Sequence, residues 1–500
     1  MAKKSEGPCC VLTLPLLTEP WQEHILEKRF KIVEHMYNSL VSYELKKLHR
    51  LEQTPEYREC ILKIKNTPKE AKKERDALYK QRKQFLKDGK FNVNKFRKDV
   101  IIMQKHFVEH IGTHVAQRMA KDVWNAFEKF LFDNGKQVHF KRRGTLHSVA
   151  TQNASMLYKA KDNSFIWNGG DCENSISLKI KVSSPKTDYE KEMLTKPCKY
   201  LRVIRKWVKT RYKYYLQFTL AGTSVVKKKH PIGHGRVGID LGTQSIAIAS
   251  DRGVHLYELC DRVNPYHKKI KYLQQKMDAS RRKTNPDNFN EDGTIKRVRG
   301  KKLTWQYSNH YKRLAGKKRH LERKNADIRR QQHYELVNEI LNMGDEIYIE
   351  EMNYKALQKW AKETTVNKKG RYNRKKRFGK SLANKAPATF CLLLESKLKN
   401  RNLTLHKVDT WEYKASQYDH LSQKYQKKKL SQRTTTLESG DILQRDLYSA
   451  FLLMNADATL KKADQQLCEQ NYERFKLLHD MEIDRLRQEN KTHLSSFGVA

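Results

Sequence analysis

One short segment, from Val237 to Asp251, constrains the fold of this chain more than any other. Its pattern is typical of two strands joined by a turn at Gly242: the first strand ends in Asp240, and the second alternates isoleucine with small residues. A carboxylate at the end of an apolar strand is costly to bury unless something neutralises it, and a metal ion is the usual partner. A solvated aspartate is the simpler interpretation of one such residue alone. A metal site is therefore predicted only if further carboxylates accompany Asp240.

Two later segments supply such carboxylates. Residues 345–353 have the pattern of a short strand that ends in Glu350, with Glu351 as the alternative. Residues 444–455 have helical spacing and place Asp446 near the N-terminus of a helix, with Asp441 as the alternative. Three carboxylates, on two strands and one helix, are thus candidates for one site.

The chemistry that Asp240, Glu350 and Asp446 would support is metal-assisted hydrolysis of a phosphodiester. Three carboxylates can hold two divalent ions about 4 Å apart, one activating water and the other stabilising the leaving 3′-oxygen. Mg²⁺ suits such a site because it prefers oxygen ligands and accepts phosphate oxygens, and we expect Mn²⁺ to substitute. The chain has 56 Asp and Glu residues, so spacing alone does not establish that these three converge.

The charge of the chain indicates a polyanionic partner. It has 102 Lys and Arg against 56 Asp and Glu, a formal net charge of +46, which repels itself unless a polyanion neutralises it. Nucleic acid is the best candidate, with binding driven by counterion release. A membrane is disfavoured because no apolar run approaches the roughly 20 residues that span a bilayer. The eight cysteines form no C-x-x-C pair, so neither a disulfide framework nor a zinc ribbon is indicated.

The pattern of the first half predicts a β domain with a helical insertion. A strand near residue 12 precedes a helical block over residues 20–135, in which two long helices have apolar faces at helical spacing. Residues 137–225 read as alternating strands of a β-barrel that the N-terminal strand could join. The absence of an apolar signal core near the N-terminus predicts a cytoplasmic protein.

Two basic segments are candidate nucleic-acid contacts. Residues 264–340 read as mostly helical and very basic. Residues 364–394 contain nine Lys or Arg and no Asp or Glu, and Tyr372 and Phe378 within this run are suited to stacking. A solvated charged face and a flexible segment are the simpler alternatives. The candidate contacts are Arg319, Arg323, Arg329, Arg330, Lys368, Lys369, Arg371, Arg374, Lys375, Lys376 and Arg377.

The three carboxylate segments resemble the three motifs of a RuvC-type nuclease, which has an RNase H-like fold. More narrowly, residues 230–460 resemble the transposon-encoded TnpB proteins and the compact type V CRISPR effectors. Val-Gly-Ile-Asp240-Leu-Gly resembles the first motif, and Ile-Tyr-Ile-Glu350-Glu-Met-Asn resembles the second. Arg-Asp446-Leu-Tyr-Ser-Ala resembles the third, usually Arg-Asp-x-Asn-Ala-Ala. This register favours Glu350 over Glu351, and the Arg-Asp dipeptide favours Asp446 over Asp441.

Two departures from the family pattern bear on the prediction. The family commonly has a four-cysteine zinc ribbon between the second and third motifs. The corresponding region of this chain, from Ala415 to the third motif, has no cysteine. Tyr448 replaces the usual asparagine of the third motif. The first departure puts zinc binding in question, and the second concerns helix packing or substrate positioning.

The resemblance implies a domain order and a function. It predicts a β-barrel wedge domain (1–19 and 136–229), a helical recognition domain (20–135), a RuvC-like nuclease domain (230–409 and 440–500) and a target-nucleic-acid-binding insert (410–439). The fold class would be α/β with helical and β modules around an RNase H-like core.

The function that the resemblance implies is RNA-guided DNA cleavage. Asp240, Glu350 and Asp446 would bind two Mg²⁺ ions and cut both DNA strands at one site. The partners would be guide RNA and target DNA opened into an RNA–DNA heteroduplex, with no membrane, and with a monomer or homodimer on one guide RNA. We expect a prokaryotic cytoplasmic protein that is nucleoid-associated when bound to DNA, encoded in a transposon or beside a CRISPR array.

Two alternatives remain open at this point. Gly-Ile-Asp-Leu-Gly-Thr also begins the first phosphate loop of actin-like and chaperone ATPases, but the second Gly-rich loop that they need, of the Asp-x-Gly-Gly type, does not follow in the sequence. A member of the same family that binds DNA as a repressor without cutting it is the other alternative. The presence of all three carboxylates argues against such a repressor, because a non-cutting protein has no need of them.

Overall fold

The computed structural model describes residues 7–68, 70–132, 135–151, 155–208, 211–225, 230–296, 300, 303–360, 363–366, 378–429, 431–489 and 493–498. The chain divides into two compact units, Met1–Val225 and Val226–Ala500. Each unit contains its own sheet and is described by itself.

A seven-stranded antiparallel sheet frames the first unit. Its strands are β1 (Cys9–Leu17), β2 (Ser148–Thr151), β3 (Met156–Lys159), β4 (Ser164–Trp167), β5 (Leu178–Val182), β6 (Cys198–Val208) and β7 (Arg211–Ala221). They lie in the order β2-β6-β7-β1-β5-β4-β3. Exposed and buried residues alternate along β1, as its sequence pattern requires. The prediction that the N-terminal strand joins this sheet is confirmed, because β1 pairs with both β5 and β7.

The helices of the first unit share a core with the sheet. They are α1 (Pro20–Glu52), α2 (Pro55–Asn66), α3 (Lys72–Asp88), α4 (Val93–Lys105), α5 (Thr113–Phe132) and α6 (Asp188–Leu194). Phe30 of α1 and Val123 of α5 lie in one hydrophobic cluster with Trp167 of the sheet. Arg29 is fully buried and donates hydrogen bonds to the carbonyl oxygens of Trp167 (2.6 Å) and Ile176 (2.5 Å), which tie α1 to the strand region.

A five-stranded mixed sheet forms the centre of the second unit. Its strands are β8 (Arg236–Leu241), β9 (Ser245–Ser250), β10 (Gly253–Glu258), β11 (Glu346–Glu350) and β12 (Leu405–Val408), in the order β10-β9-β8-β11-β12. The first three strands form an antiparallel meander, and β11 is parallel to both β8 and β12. The carboxyl ends of β8, β11 and β12 therefore lie at one edge of the sheet.

Helices cover both faces of this sheet. Those of the second unit are α7 (Asn264–Thr284), α8 (Asn309–Met343), α9 (Tyr354–Leu357), α10 (Gly379–Lys385), α11 (Pro387–Lys399), α12 (Thr410–Tyr413), α13 (Arg445–Met454) and α14 (Gln465–Gln488). The isoleucines of β9 pack in a cluster with α8 and α11, whereas Ala247 and Ala249 pack in a second cluster with α13 and α14. The alternation of large and small residues in β9 thus matches two different layers of helix.

The segment between β12 and α13 contains short hairpins. Strands β13 (Tyr418–Asp419) and β14 (Lys424–Tyr425) form one pair, and β15 (Thr434–Thr436) and β16 (Ile442–Gln444) form another. Strand β16 leads directly into α13, whose N-cap is Gln444. The second unit has α/β architecture as expected, while its RNase H-like assignment and the domain boundaries remain predictions. Among the helices of the described residues, none has the length and hydropathy of a membrane span.

Candidate active site

The structure places the three predicted carboxylates at neighbouring ends of secondary structure. Asp240 is the penultimate residue of β8, and Glu350 is the last residue of β11. The two strands are parallel neighbours with Ile239 opposite Ile349, so Asp240 and Glu350 follow at the same edge of the sheet. Asp446 lies in the first turn of α13, the helix that packs on β8.

Gly238 allows the backbones of β8 and α13 to lie unusually close together. A Cβ atom built on Gly238 would lie 1.9 Å from the carbonyl oxygen of Ala450 and 2.4 Å from the amide nitrogen of Met454. These distances are far shorter than any van der Waals contact, so only a residue without a side chain lets the backbone of α13 approach β8 this closely. Gly238 therefore helps to bring Asp446 toward Asp240.

The electrostatics of the site show that the three carboxylates interact. Burial raises the pKa of Asp240 well above its ordinary value, and the negative charges of Asp446 and Glu350 raise it further. The positive charge of Arg445 acts in the opposite direction but is the smallest contribution. Burial also raises the pKa of Glu350 to about 7. Asp446 and Glu350 thus lie close enough to Asp240 to act on its ionisation, with Arg445 as the cation that opposes them.

The donor set fits a divalent cation in its chemistry, because carboxylate oxygens are the ligands that Mg²⁺ prefers. Its present arrangement is different: Asp446 Oδ1 accepts hydrogen bonds from Arg445 Nε (3.2 Å) and Nη2 (3.0 Å). Within the described ranges, no group of three or more His, Cys, Asp or Glu residues is positioned to hold a metal ion. The three carboxylates are therefore near one another but not assembled as ligands, and Arg445 occupies an oxygen that a cation would need.

The structure distinguishes the alternative acids from the chosen ones. Glu351 lies beyond the strand and is exposed, and its backbone N–H donates to the carbonyl oxygen of Val408 (2.9 Å). Asp441 pairs with Lys476 and accepts a hydrogen bond from the Tyr472 hydroxyl (2.7 Å). These contacts, that of Lys476 first, lower the pKa of Asp441 to about 2. Asp441 is thus neutralised locally, in contrast to Asp240.

Replacing Asp441 with asparagine should lower stability but spare any catalytic activity. Because the folded pKa is lowered, the ionised carboxylate stabilises the fold above its unfolded pKa of about 3.9. This contribution is lost as the pH falls through about 2. We expect Asp441→Asn to reduce the free energy of unfolding by about 1 kcal/mol near neutral pH, with the difference shrinking in acid. Denaturant titrations at several pH values measure it, and a variant that loses cleavage instead would contradict this assignment.

One residue near the site, Tyr354, was not singled out from the sequence. The Tyr354 hydroxyl lies 3.5 Å from the carbonyl oxygen of Leu241, the residue after Asp240. Burial raises the pKa of Tyr354, as do its interaction with Cys391 and the charge of Asp240. The hydroxyl therefore stays protonated beside the carboxylates. The one available signal was its position directly after Asn353, at the end of the second motif.

Tyr448, which replaces the usual asparagine, has a structural role in this chain. Its side chain is 1% exposed, and its hydroxyl accepts a hydrogen bond from the His420 backbone N–H (3.1 Å). The same hydroxyl lies 2.8 Å from His420 Nδ1. His420 is fully buried and packs against the rings of Phe451 and Tyr472. Aromatic packing and these hydrogen bonds attach the segment that carries His420 to α13, so Tyr448 links this helix to the chain that precedes it.

The predicted nucleic-acid contacts that the structure describes all lie on α8. Arg319 and Arg330 are exposed, as a phosphate contact requires. Arg323 is paired with Asp327, and Arg329 donates to the carbonyl oxygens of Ala383 (3.0 Å) and Asn384 (3.2 Å). The geometry thus favours Arg319 and Arg330 as contacts and gives Arg329 a structural role. The remaining candidates lie outside the described residues: Lys368, Lys369, Arg371, Arg374, Lys375, Lys376 and Arg377.

Comparison with known proteins finds similarity at the level of structure. No family model and no curated protein matches the sequence. The chain is similar to a solved structure described as "Cryo-EM structure of the Cas12f1-sgRNA-target DNA complex", with a TM-score of 0.46 and 11% identity over 90% of this chain and 99% of that chain. A second, "Cryo-EM structure of CRISPR-Cas12f Ternary Complex", has a TM-score of 0.26 and 14% identity over 86% and 82%. Cas12f is a compact type V CRISPR effector, the class that the motifs resemble.

Proposed function

We propose that this chain is an RNA-guided DNA endonuclease with one cleavage site at the carboxyl edge of the β8–β11–β12 sheet. The observation that carries the proposal is the convergence of three carboxylates at that edge: Asp240 and Glu350 lie at the ends of neighbouring parallel strands, and Asp446 lies in the first turn of the helix that packs on β8. A chain with a net charge of +46 that still gathers carboxylates at one sheet edge has a use for a bound cation there. Both TM-scores lie below 0.5, so the proposal rests on the site residues, the charge and the motif resemblance.

Asp240, Glu350 and Asp446 would hold Mg²⁺. The bound ions would supply activation of water and stabilisation of the leaving 3′-oxygen. The chain itself would position the carboxylates. Asp240 and Glu350 would have defined positions because the first lies within β8 and the second ends β11, two paired strands of one sheet. Arg445, which pairs with Asp446, would have to release the Oδ1 atom of that carboxylate when a cation binds.

The basic surface would bind the substrate. Exposed Arg319 and Arg330 on α8 would contact phosphates, and sequence would be read by base pairing with a guide RNA. An ATPase remains the weaker candidate, because the charge of the chain favours a polynucleotide over a single nucleotide.

The test is the recovery of a discrete RNA and its use as a guide. We expect RNA that co-purifies with the full chain to have a defined sequence. The chain reconstituted with it should cut duplex DNA that contains the complementary segment, and chelation of divalent ions should abolish cutting while leaving binding. Recovery of no discrete RNA, or cleavage that ignores the guide sequence, would overturn the proposal. Guided binding without cleavage in Mg²⁺ would favour the repressor.

A further inference from the structure

An exposed tryptophan stands at the same sheet edge as the carboxylates. Trp411 is 86% exposed, more than any other large hydrophobic side chain in the part of the chain that the structure describes. It lies in α12, which begins two residues after β12 ends at Val408. Val408 is opposite Glu350 in the parallel pair of β11 and β12. Trp411 is three residues along the chain from Val408, a span of at most about 11 Å, so the backbone that carries the indole lies near the candidate site.

The backbone that carries Trp411 is held on both sides. The Asp409 carboxylate accepts a hydrogen bond from the Trp411 backbone N–H (2.7 Å), and the Thr410 hydroxyl donates to the carbonyl oxygen of Glu351 (3.2 Å). On the other side, Tyr413 is 1% exposed and its hydroxyl donates to the carbonyl oxygen of Leu452 in α13. The turn is thus anchored to Glu351, the residue that follows Glu350, and to α13, the helix that carries Asp446.

Trp411 combines exposure with an anchored backbone. Single exposed hydrophobic residues are common and need no explanation, but this one stands on a turn bonded to Glu351 and to α13, at the sheet edge of the carboxylates. An exposed indole gains little binding energy from an anchored backbone unless a flat apolar partner stacks on the ring. In a chain of net charge +46, the partner with both a flat apolar face and a negative charge is a nucleic-acid base on its phosphate backbone.

We infer that Trp411 is a positioning residue that stacks on an unpaired base of single-stranded DNA and so holds the strand at the carboxylates. The inference rests on the proposed function, since it takes the strand at Asp240 and Glu350 to be DNA. The paired bases of a duplex present only their edges, so the indole selects a strand that has been opened. The chain around Trp411 needs no movement to do this, because the ring already faces solvent.

The experiment compares the binding of two single-stranded oligonucleotides of equal length, one of deoxythymidine and one abasic. Both carry the same phosphates, so the ratio of their dissociation constants isolates base stacking. Asp240→Asn is used as the background to prevent cleavage, and raised salt suppresses the phosphate contribution. We expect the parent to prefer the oligonucleotide with bases, and Trp411→Ala to reduce that preference about tenfold. Trp411→Phe should keep most of it because phenylalanine also stacks.

Trp21 provides a matched control. It is 54% exposed and lies in the first unit, where its indole N–H donates to Glu19 (2.5 Å). Trp21→Ala should leave the preference for bases unchanged, and the unfolding temperature of each variant checks that the fold persists. A Trp411→Ala variant with the parental preference, or an equal loss in Trp21→Ala, would overturn the inference.

The outcomes separate this inference from the proposed function. The measurement does not use cleavage, so the stacking effect can be present in a chain that cuts nothing, which would leave Trp411 as a strand-binding residue and refute the nuclease. Guided cleavage by the parent, together with a parental base preference in Trp411→Ala, would support the nuclease and refute the role of Trp411. In an active parent, Trp411→Ala should raise KM about tenfold with little change in kcat.

Discussion

Asp240→Asn should abolish cleavage and at the same time make the metal-free protein more stable. Cleavage should fall about a thousandfold or more, because the variant removes a carboxylate that would hold the cation. Stability should rise, since burial and the two neighbouring negative charges make the ionised form of Asp240 costly in the folded protein. Asparagine keeps the size of the side chain and removes the charge that Asp446 and Glu350 oppose.

The stabilisation expected of Asp240→Asn should depend on pH. Because the folded pKa of Asp240 is raised, its stabilising contribution is complete below the unfolded value of about 3.9 and is lost as the pH rises through the folded pKa. The parent should therefore lose stability over this range more than Asp240→Asn does. Glu350 contributes in the same direction up to about pH 7 in both proteins.

Denaturant titrations with and without Mg²⁺ measure both effects. Mg²⁺ should stabilise the parent and have a smaller effect on Asp240→Asn. Binding of guide RNA and target DNA should survive in the variant, because the basic surface is unchanged. Cleavage by the variant at the parental rate would remove Asp240 from the site. Equal stability of the two metal-free proteins would show that the charge of the Asp240 carboxylate is already neutralised in the parent.

Gly238→Ala should destabilise the second unit and disable the site. The added methyl group would meet the carbonyl oxygen of Ala450 at 1.9 Å, and that oxygen belongs to the backbone of α13, which cannot move aside without moving the helix. We expect a loss of about 2–4 kcal/mol in the free energy of unfolding. Cleavage should also fall at temperatures where the variant is still folded, because the displaced helix carries Asp446.

Gly316 is the matched control for this substitution. It lies in α8, and a Cβ atom built on it has no neighbour within 4 Å. Gly316→Ala should be neutral or more stable by up to about 1 kcal/mol, because alanine favours a helix more than glycine does. Thermal unfolding and cleavage rates of the two variants test the contrast. If Gly238→Ala were as stable as the parent, the close packing of α13 on β8 would be wrong.

Local patterns predicted the elements of the second unit well. The alternation in β9, the strand before Glu350 and the helix that begins near Asp446 all depend on neighbours two to four residues apart, which the sequence displays directly. The charge of the chain and the carboxylate types are likewise read from composition and order. For the nucleic-acid candidates Arg323 and Arg329, the structure adds partners within the protein, which helical spacing and charge density do not reveal.

The sequence by itself determined that three carboxylates end two apolar strands and begin a helix in a strongly basic chain. Only the tertiary structure showed that the absence of a side chain at Gly238 lets α13 pack closely on β8. It also showed that Lys476 neutralises Asp441 and that Tyr448 is hydrogen-bonded to His420. It also revealed that Trp411 stands exposed on an anchored turn. The physical reason is range: backbone pattern reflects adjacent residues, whereas close approach, ion pairing and exposure depend on residues tens to hundreds of positions apart that meet only in the folded chain.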